Sequence, residues 1–176
     1  LAELGAAEPE KFVLADSRER IAEFRNVCVK PNRDEADRMV GDRHLPPGFE
    51  NVLYEMTRIT SRTVFCTAGG AGIWLVRPVR SDDEMEYVNS IDHVLAYRVS
   101  GPIDIVGAGD SCTAGITCAM VSGATHEQAA AFGNLVASIT IQQIRVTGTA
   151  SPGRRSHSEG ITPVPSPRKV AASPAG

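Results

Sequence analysis

The stretch GPIDIVGAGDSCTAGITCAM, residues 101–120, limits the possible folds more than any other part of the chain. A short β-branched run, Ile103 to Val106, ends in Gly107, Ala108 and Gly109, and Asp110 then opens a long series of small and apolar residues. A glycine turn leading from extended chain into a helix is the joint of an α/β protein, where ligands collect at the carboxyl ends of strands and the amino ends of helices. The first helical turn has N–H groups with no intrahelical acceptor, at the positive end of the helix dipole. Gly107, Ala108, Gly109 and Asp110 can therefore present amides to an anion with little side chain in the way. A carboxylate there is stabilised as the anion, and beside a transferring phosphoryl group it would accept the proton of an attacking hydroxyl. Asp110 equally suits a helix cap, and a short glycine motif alone does not decide between the two roles.

The rest of the chain alternates in the same sense. DSRERIAEF reads as helix, NVCVK as strand, RDEADRMVG as helix stopped by Gly41, and PGFENVLYEMTRI as helix again. TVFCTA and GIWLVRP are short apolar runs separated by GGAG and together resemble a hairpin, and HVLAYRV reads as a further strand. GDSCTAGITCAMVSG reads as a buried helix ended by Gly123. THEQAAAFGNLVASITIQQI reads as a second helix, opened by Thr125 with Gln128 three residues on, a capping box. This alternation predicts a largely parallel sheet covered by helices. From Ser151 the composition turns rich in Pro, Ser and Gly, so residues 1–150 are expected to form the folded portion and 151–176 a basic, disordered tail.

The bulk properties narrow the partners. A chain of 176 residues is long enough for one domain with a real core. The net charge of −3 is small and both signs are interspersed, which argues against a nucleic-acid face and for a small molecule as ligand. No apolar run approaches the roughly 18 residues of a membrane span, and the first residues lack the pattern of a signal peptide, so a cytoplasmic protein is expected. Cys28, Cys66, Cys112 and Cys118 show no CxxC spacing and read as buried free thiols. His44, His93, His126 and His157 are scattered without metal-ligand spacing, and Phe65 and Trp74 read as core. Asp16, Ser17 and Arg18 follow a strand-like run, where Asp16 or Ser17 would cap a helix.

Two further motifs bear on chemistry. In KPNRDEA, Asn32 and Glu35 lie just past a strand end, where an amide and a carboxylate could reach phosphate or metal-bound water; a helix cap with Asn32 at the start and Glu35 three residues on explains them equally well. CTAGGAG, Cys66 to Gly72, is a second glycine-rich loop whose backbone could line phosphates or simply make a turn.

In this order, KPNRDEA, TAGGAG and DIVGAGD resemble the NxxE, TxGxxG and DxxGAGD motifs of the PfkB or ribokinase-like carbohydrate kinases, over roughly residues 10 to 150. The resemblance implies a three-layer ribokinase-like α/β fold and ATP-dependent transfer of a phosphoryl group to a hydroxyl of a sugar or sugar phosphate. It implies Asp110 as the base and Gly107, Ala108 and Gly109 as the anion hole. Asn32 and Glu35 would belong to the Mg²⁺ and phosphate network, Thr67, Gly69 and Gly72 to the nucleotide loop, and Asn134 would lie near the adenine. Asp104 matches a carboxylate that in several members helps hold a monovalent cation such as K⁺. The match is to the family's C-terminal portion. The half carrying the diglycine motif, most sugar contacts and the lid strands has no counterpart here, and QQIRVTGTAS differs in length from the usual loop. The expectation is either a kinase portion or a non-catalytic nucleotide-binding or interaction module derived from one, prone to dimerise or to dissolve poorly unless a partner covers it. A dinucleotide-binding dehydrogenase is a poor reading, because no GxGxxG follows a first strand.

Overall fold

The computed structural model describes residues 1–41, 43–80, 87–144 and 168–169. The expectation of a disordered tail lies outside the described residues, save for 168–169. The chain divides into two compact units. The first comprises Leu1–Ala68, Trp74–His93 and the described pair 168–169; the second comprises Gly69–Ile73 and the chain from Val94 onward, described to residue 144.

The first unit is organised by a sheet. β1 (Leu14–Ala15), β2 (Cys28–Val29) and β3 (Val64–Thr67) run parallel, with Leu14 opposite Cys28 and Val29 opposite both Ala15 and Val64. β4 (Ile73–Arg80) and β5 (Tyr87–Val94) follow in order, and β6 (Arg168–Lys169) pairs antiparallel with β5, so the sheet is mixed. Helix α1 (Ala2–Ala7) precedes the sheet. Helix α2 (Arg33–Val40) buries Ala36, Met39 and Val40, and α3 (Phe49–Thr60) buries Leu53, Met56, Thr57 and Thr60, the spacing of a single helical stripe. These stripes meet Val27, Val29, Val64, Cys66, Val76 and Ile91 in one apolar cluster. Each fully enclosed large side chain, such as Leu53 or Met56, contributes about 1.5–3 kcal/mol. Burial pushes the Cys28 thiol up to about 11 and the Cys66 thiol to about 12, so both stay protonated and inert near neutral pH.

Several expectations are corrected here. DSRERIAEF forms only a single 3-10 turn, Ile21–Glu23. Ile21 is its one buried residue, too little apolar surface to hold a longer helix in place. HVLAYRV is not a strand of its own, because β5 ends at Val94. Phe65 is fully enclosed, but Trp74 is half-buried, stacked on His93 with ring centroids 4.0 Å apart and set edge-on to Phe49.

The second unit is built on a helix pair, α4 (Ala108–Val121) and α5 (His126–Thr140). The capping box predicted for α5 is present: Thr125 Oγ1 accepts from Gln128 N and Gln128 Oε1 accepts from Thr125 N. The helices approach closely where both lack side chains, since a Cβ on Gly133 would stand 2.7 Å from Ile116 Cγ1 and one on Gly115 3.0 Å from Gly133 Cα. α4 is not the buried helix the sequence predicts. It buries only Cys112, Gly115 and Ile116, and Cys118 is exposed while Cys28, Cys66 and Cys112 are buried. Among the described residues no helix is long and apolar enough to cross a membrane.

Candidate active site

The residues singled out by the sequence fall into two groups, one in each unit. In the first unit, the strand ends place Asn32, Glu35 and Thr67 together. Asn32 is the N-cap of α2: its Oδ1 accepts from Glu35 N at 2.8 Å, and Glu35 Oε2 accepts from Asn32 N at 2.8 Å. Glu35 is buried at this cap, with one carboxylate oxygen engaged and no protein partner for the other among the described residues. Asn32 also bridges to Thr67 in parallel register, and the Pro31 carbonyl accepts from both Thr67 N at 2.9 Å and Thr67 Oγ1 at 3.4 Å. The two sequence motifs are therefore neighbours at the carboxyl edge of β2 and β3.

Lys30 joins this edge without being marked by any motif of the sequence. Its ammonium lies 3.0 Å from Asp16 Oδ2 and its side chain is only 4% exposed. Asp16 thus serves an ion pair, while Ser17 caps the turn by accepting from Arg20 N at 3.1 Å. A lysine flanked by strand and proline was the available signal. A cavity of about 370 Å³ along α2 and α3, lined by Arg33, Asp37, Phe49 and Val52 among others, contains none of the predicted site residues.

In the second unit the glycine loop continues as a 3-10 turn, Gly69–Ala71, with all three residues exposed. Gly72, at φ +100°, is a position only glycine can fill: a Cβ would stand 2.2 Å from the Val94 carbonyl oxygen and 2.6 Å from Ala96 N. Asn134, buried on α5, donates its Nδ2 to the carbonyls of Val94 and Leu95 at 3.0 and 3.2 Å. These contacts draw the chain out of the sheet after Val94, and they give Asn134 a holding role on the loop behind Gly72.

Gly107 takes the left-handed conformation, φ +79°, as N-cap of α4, and no side chain caps this end of the helix. Ala108 N is turned back to the Ile105 carbonyl at 3.2 Å, and Ser111 N begins the helical ladder on Gly107 O at 2.9 Å. The amides of Gly109 and Asp110 fall in the helix's unladdered first turn, and both residues are exposed. Asp104 stabilises the approach: its Oδ1 accepts from Val106 N at 3.1 Å, and its own N–H donates to the Ile141 carbonyl at 2.8 Å. Among the described residues no group of three or more His, Cys, Asp or Glu side chains could hold a metal ion.

A strand-edge cap, a glycine loop and an uncapped helix start in this chain order agree with a family model, pfkB family carbohydrate kinase, that matches residues 17–152. The chain belongs to the pfkB family of carbohydrate kinases. Its fold is ribokinase-like. The chain superposes with TM-score 0.64 on adenosine kinase from Sinorhizobium meliloti, at 24% identity over 89% of this chain and 49% of that one. It matches phosphofructokinase-2 from Escherichia coli, solved with potassium, with TM-score 0.64 at 21% identity over 88% and 49%. Ribokinase from Arabidopsis thaliana, solved with ribose and ATP, matches with TM-score 0.59 at 21% identity over 83% and 47%. This pfkB chain thus spans about half the length of these solved structures. No curated protein matches its sequence.

Proposed function

We propose that the chain is the nucleotide-binding and catalytic portion of an ATP-dependent sugar kinase, with Asp110 as base and the start of α4 as the anion hole. The observation that carries this reading is the amino end of α4: Gly107 is left-handed, no side chain caps the helix, and a carboxylate stands exposed in the first turn. Such an end favours negative charge through its free amides and dipole. Asp110 would take the proton from an acceptor hydroxyl of a sugar or sugar phosphate, while the amides of Gly107 and Gly109 hold the transferring group; the Ala108 amide, expected in the anion hole, is spent on the Ile105 carbonyl, and Ala108 contributes only its small side chain.

The residues fit the cofactors. Gly70 has ordinary backbone, and a Cβ there would meet nothing within 4 Å among the described residues, so the loop is left bare for nucleotide phosphates to approach. Thr67, Gly69 and Gly72 would form the rest of that loop, with Asn134 behind it. Glu35 would offer one oxygen to metal-bound water while its other oxygen holds the cap with Asn32, and Asp104 would be the carboxylate offered to K⁺. Mg²⁺, when bound with ATP, would neutralise phosphate charge.

The test is calorimetric titration of the chain with Mg·ATP beside a coupled assay over a panel of sugars and sugar phosphates. Asp110→Asn should lower turnover by about 10² to 10⁴ and leave Mg·ATP affinity within about twofold. Near-normal turnover would reject the assignment. Mg·ATP binding with no turnover on any acceptor would instead support a second reading, a non-catalytic nucleotide-binding module.

A further inference from the structure

The Lys30 side chain is buried, 4% exposed, and its ammonium faces Asp16, whose own side chain is 28% exposed and opens to solvent. A lysine taken out of water beside a solvent-facing carboxylate is a poor device for stability, because desolvating the ammonium costs about as much as a partly screened attraction returns. Its better use is to fix geometry. Here the geometry concerns the backbone beside the site. Lys30 N donates to the Ala15 carbonyl at 2.9 Å, tying the end of β2 to the end of β1. The next residue, Pro31, has no N–H and cannot be held from its nitrogen side. Its carbonyl nevertheless carries both hydrogen bonds from Thr67, and its successor is the N-cap Asn32.

We propose that Asp16 and Lys30 are a positioning pair for the nucleotide edge: the ion pair anchors the chain just before Pro31 and so sets where the Asn32–Glu35 cap and Thr67 stand relative to each other. Neither side chain needs to touch the nucleotide. The inference rests on the kinase reading above, since it assigns a purpose to the spacing of two proposed nucleotide-binding motifs.

The experiment separates position from stability. Melting temperature and Mg·ATP affinity, the latter measured well below the melt, are compared for the wild-type chain, Asp16→Asn, and the double variant Asp16→Leu with Lys30→Met. The double variant is expected to melt within about 3 °C of wild type, because the charges leave together, yet to bind Mg·ATP about tenfold or more weakly. Should it fail to fold, Asp16→Asn decides: it keeps size and a hydrogen-bond acceptor but not the charge, and about fivefold weaker binding is expected of it. Wild-type affinity in the folded double variant, or in Asp16→Asn, would show the pair to be merely structural and overturn the inference alone. A wild-type chain that does not bind Mg·ATP would overturn the kinase reading and this inference with it.

Discussion

Gly70 and Gly72 stand two residues apart in one loop under opposite constraints. At Gly72 the fold demands glycine, through a positive φ and a Val94 carbonyl that leaves no room for a Cβ; at Gly70 nothing among the described residues demands it. Gly72→Ala is therefore expected to cost about 2 kcal/mol or more of stability, read from denaturant unfolding. Gly70→Ala is expected to leave the melt within about 2 °C of wild type while weakening Mg·ATP binding about tenfold, because in the proposed site its methyl group would stand in the path of the phosphates. Equal Mg·ATP affinity in Gly70→Ala would remove this loop from the proposed site. Both glycines were legible in the sequence as a phosphate loop or a turn, but their separate reasons were not, since Val94 lies 22 positions beyond Gly72. The same holds for Asp16. As a residue after a strand it reads as a cap, and only the folded chain brings Lys30 to it.

Elements whose ends are written locally followed the sequence closely. Thr125 with Gln128 and Asn32 with Glu35 both form complete capping boxes, and Gly41 ends α2 at positive φ, because each signal acts within one turn of chain. Elements decided by partners did not. β5 stops at Val94, where Asn134 of α5 captures two carbonyls, and DSRERIAEF stays a short turn for want of apolar surface to bury. The α4–α5 contact is of this second kind. Gly133→Val would press a side chain into Ile116 and the Cys112 carbonyl, and it is expected to lower unfolding free energy by about 1–3 kcal/mol. A shifted urea midpoint at unchanged m-value is the expected signature, and an unshifted midpoint would mean that the helices separate without cost.

For the molecule as a whole, exposed apolar side chains concentrate in the second unit. Ile103, Ile105, Val106 and Val121 are 52, 73, 65 and 71% exposed, and the first three adjoin the proposed anion hole. Surfaces of this kind associate. Light scattering across a concentration series is expected to show self-association of the chain, reduced in a variant carrying Ile105→Ser and Val121→Ser. A wild-type monomer at every concentration would count against it. The amino-acid sequence by itself determined the α/β class, the helix starts and the three glycine and acid motifs, because caps, turns and periodicity are interactions between residues a few positions apart. The tertiary structure alone decided where β5 ends, which side of α4 is covered and that Lys30 is buried against Asp16. Those outcomes depend on which distant atoms come within contact distance, and no local pattern in the chain encodes that.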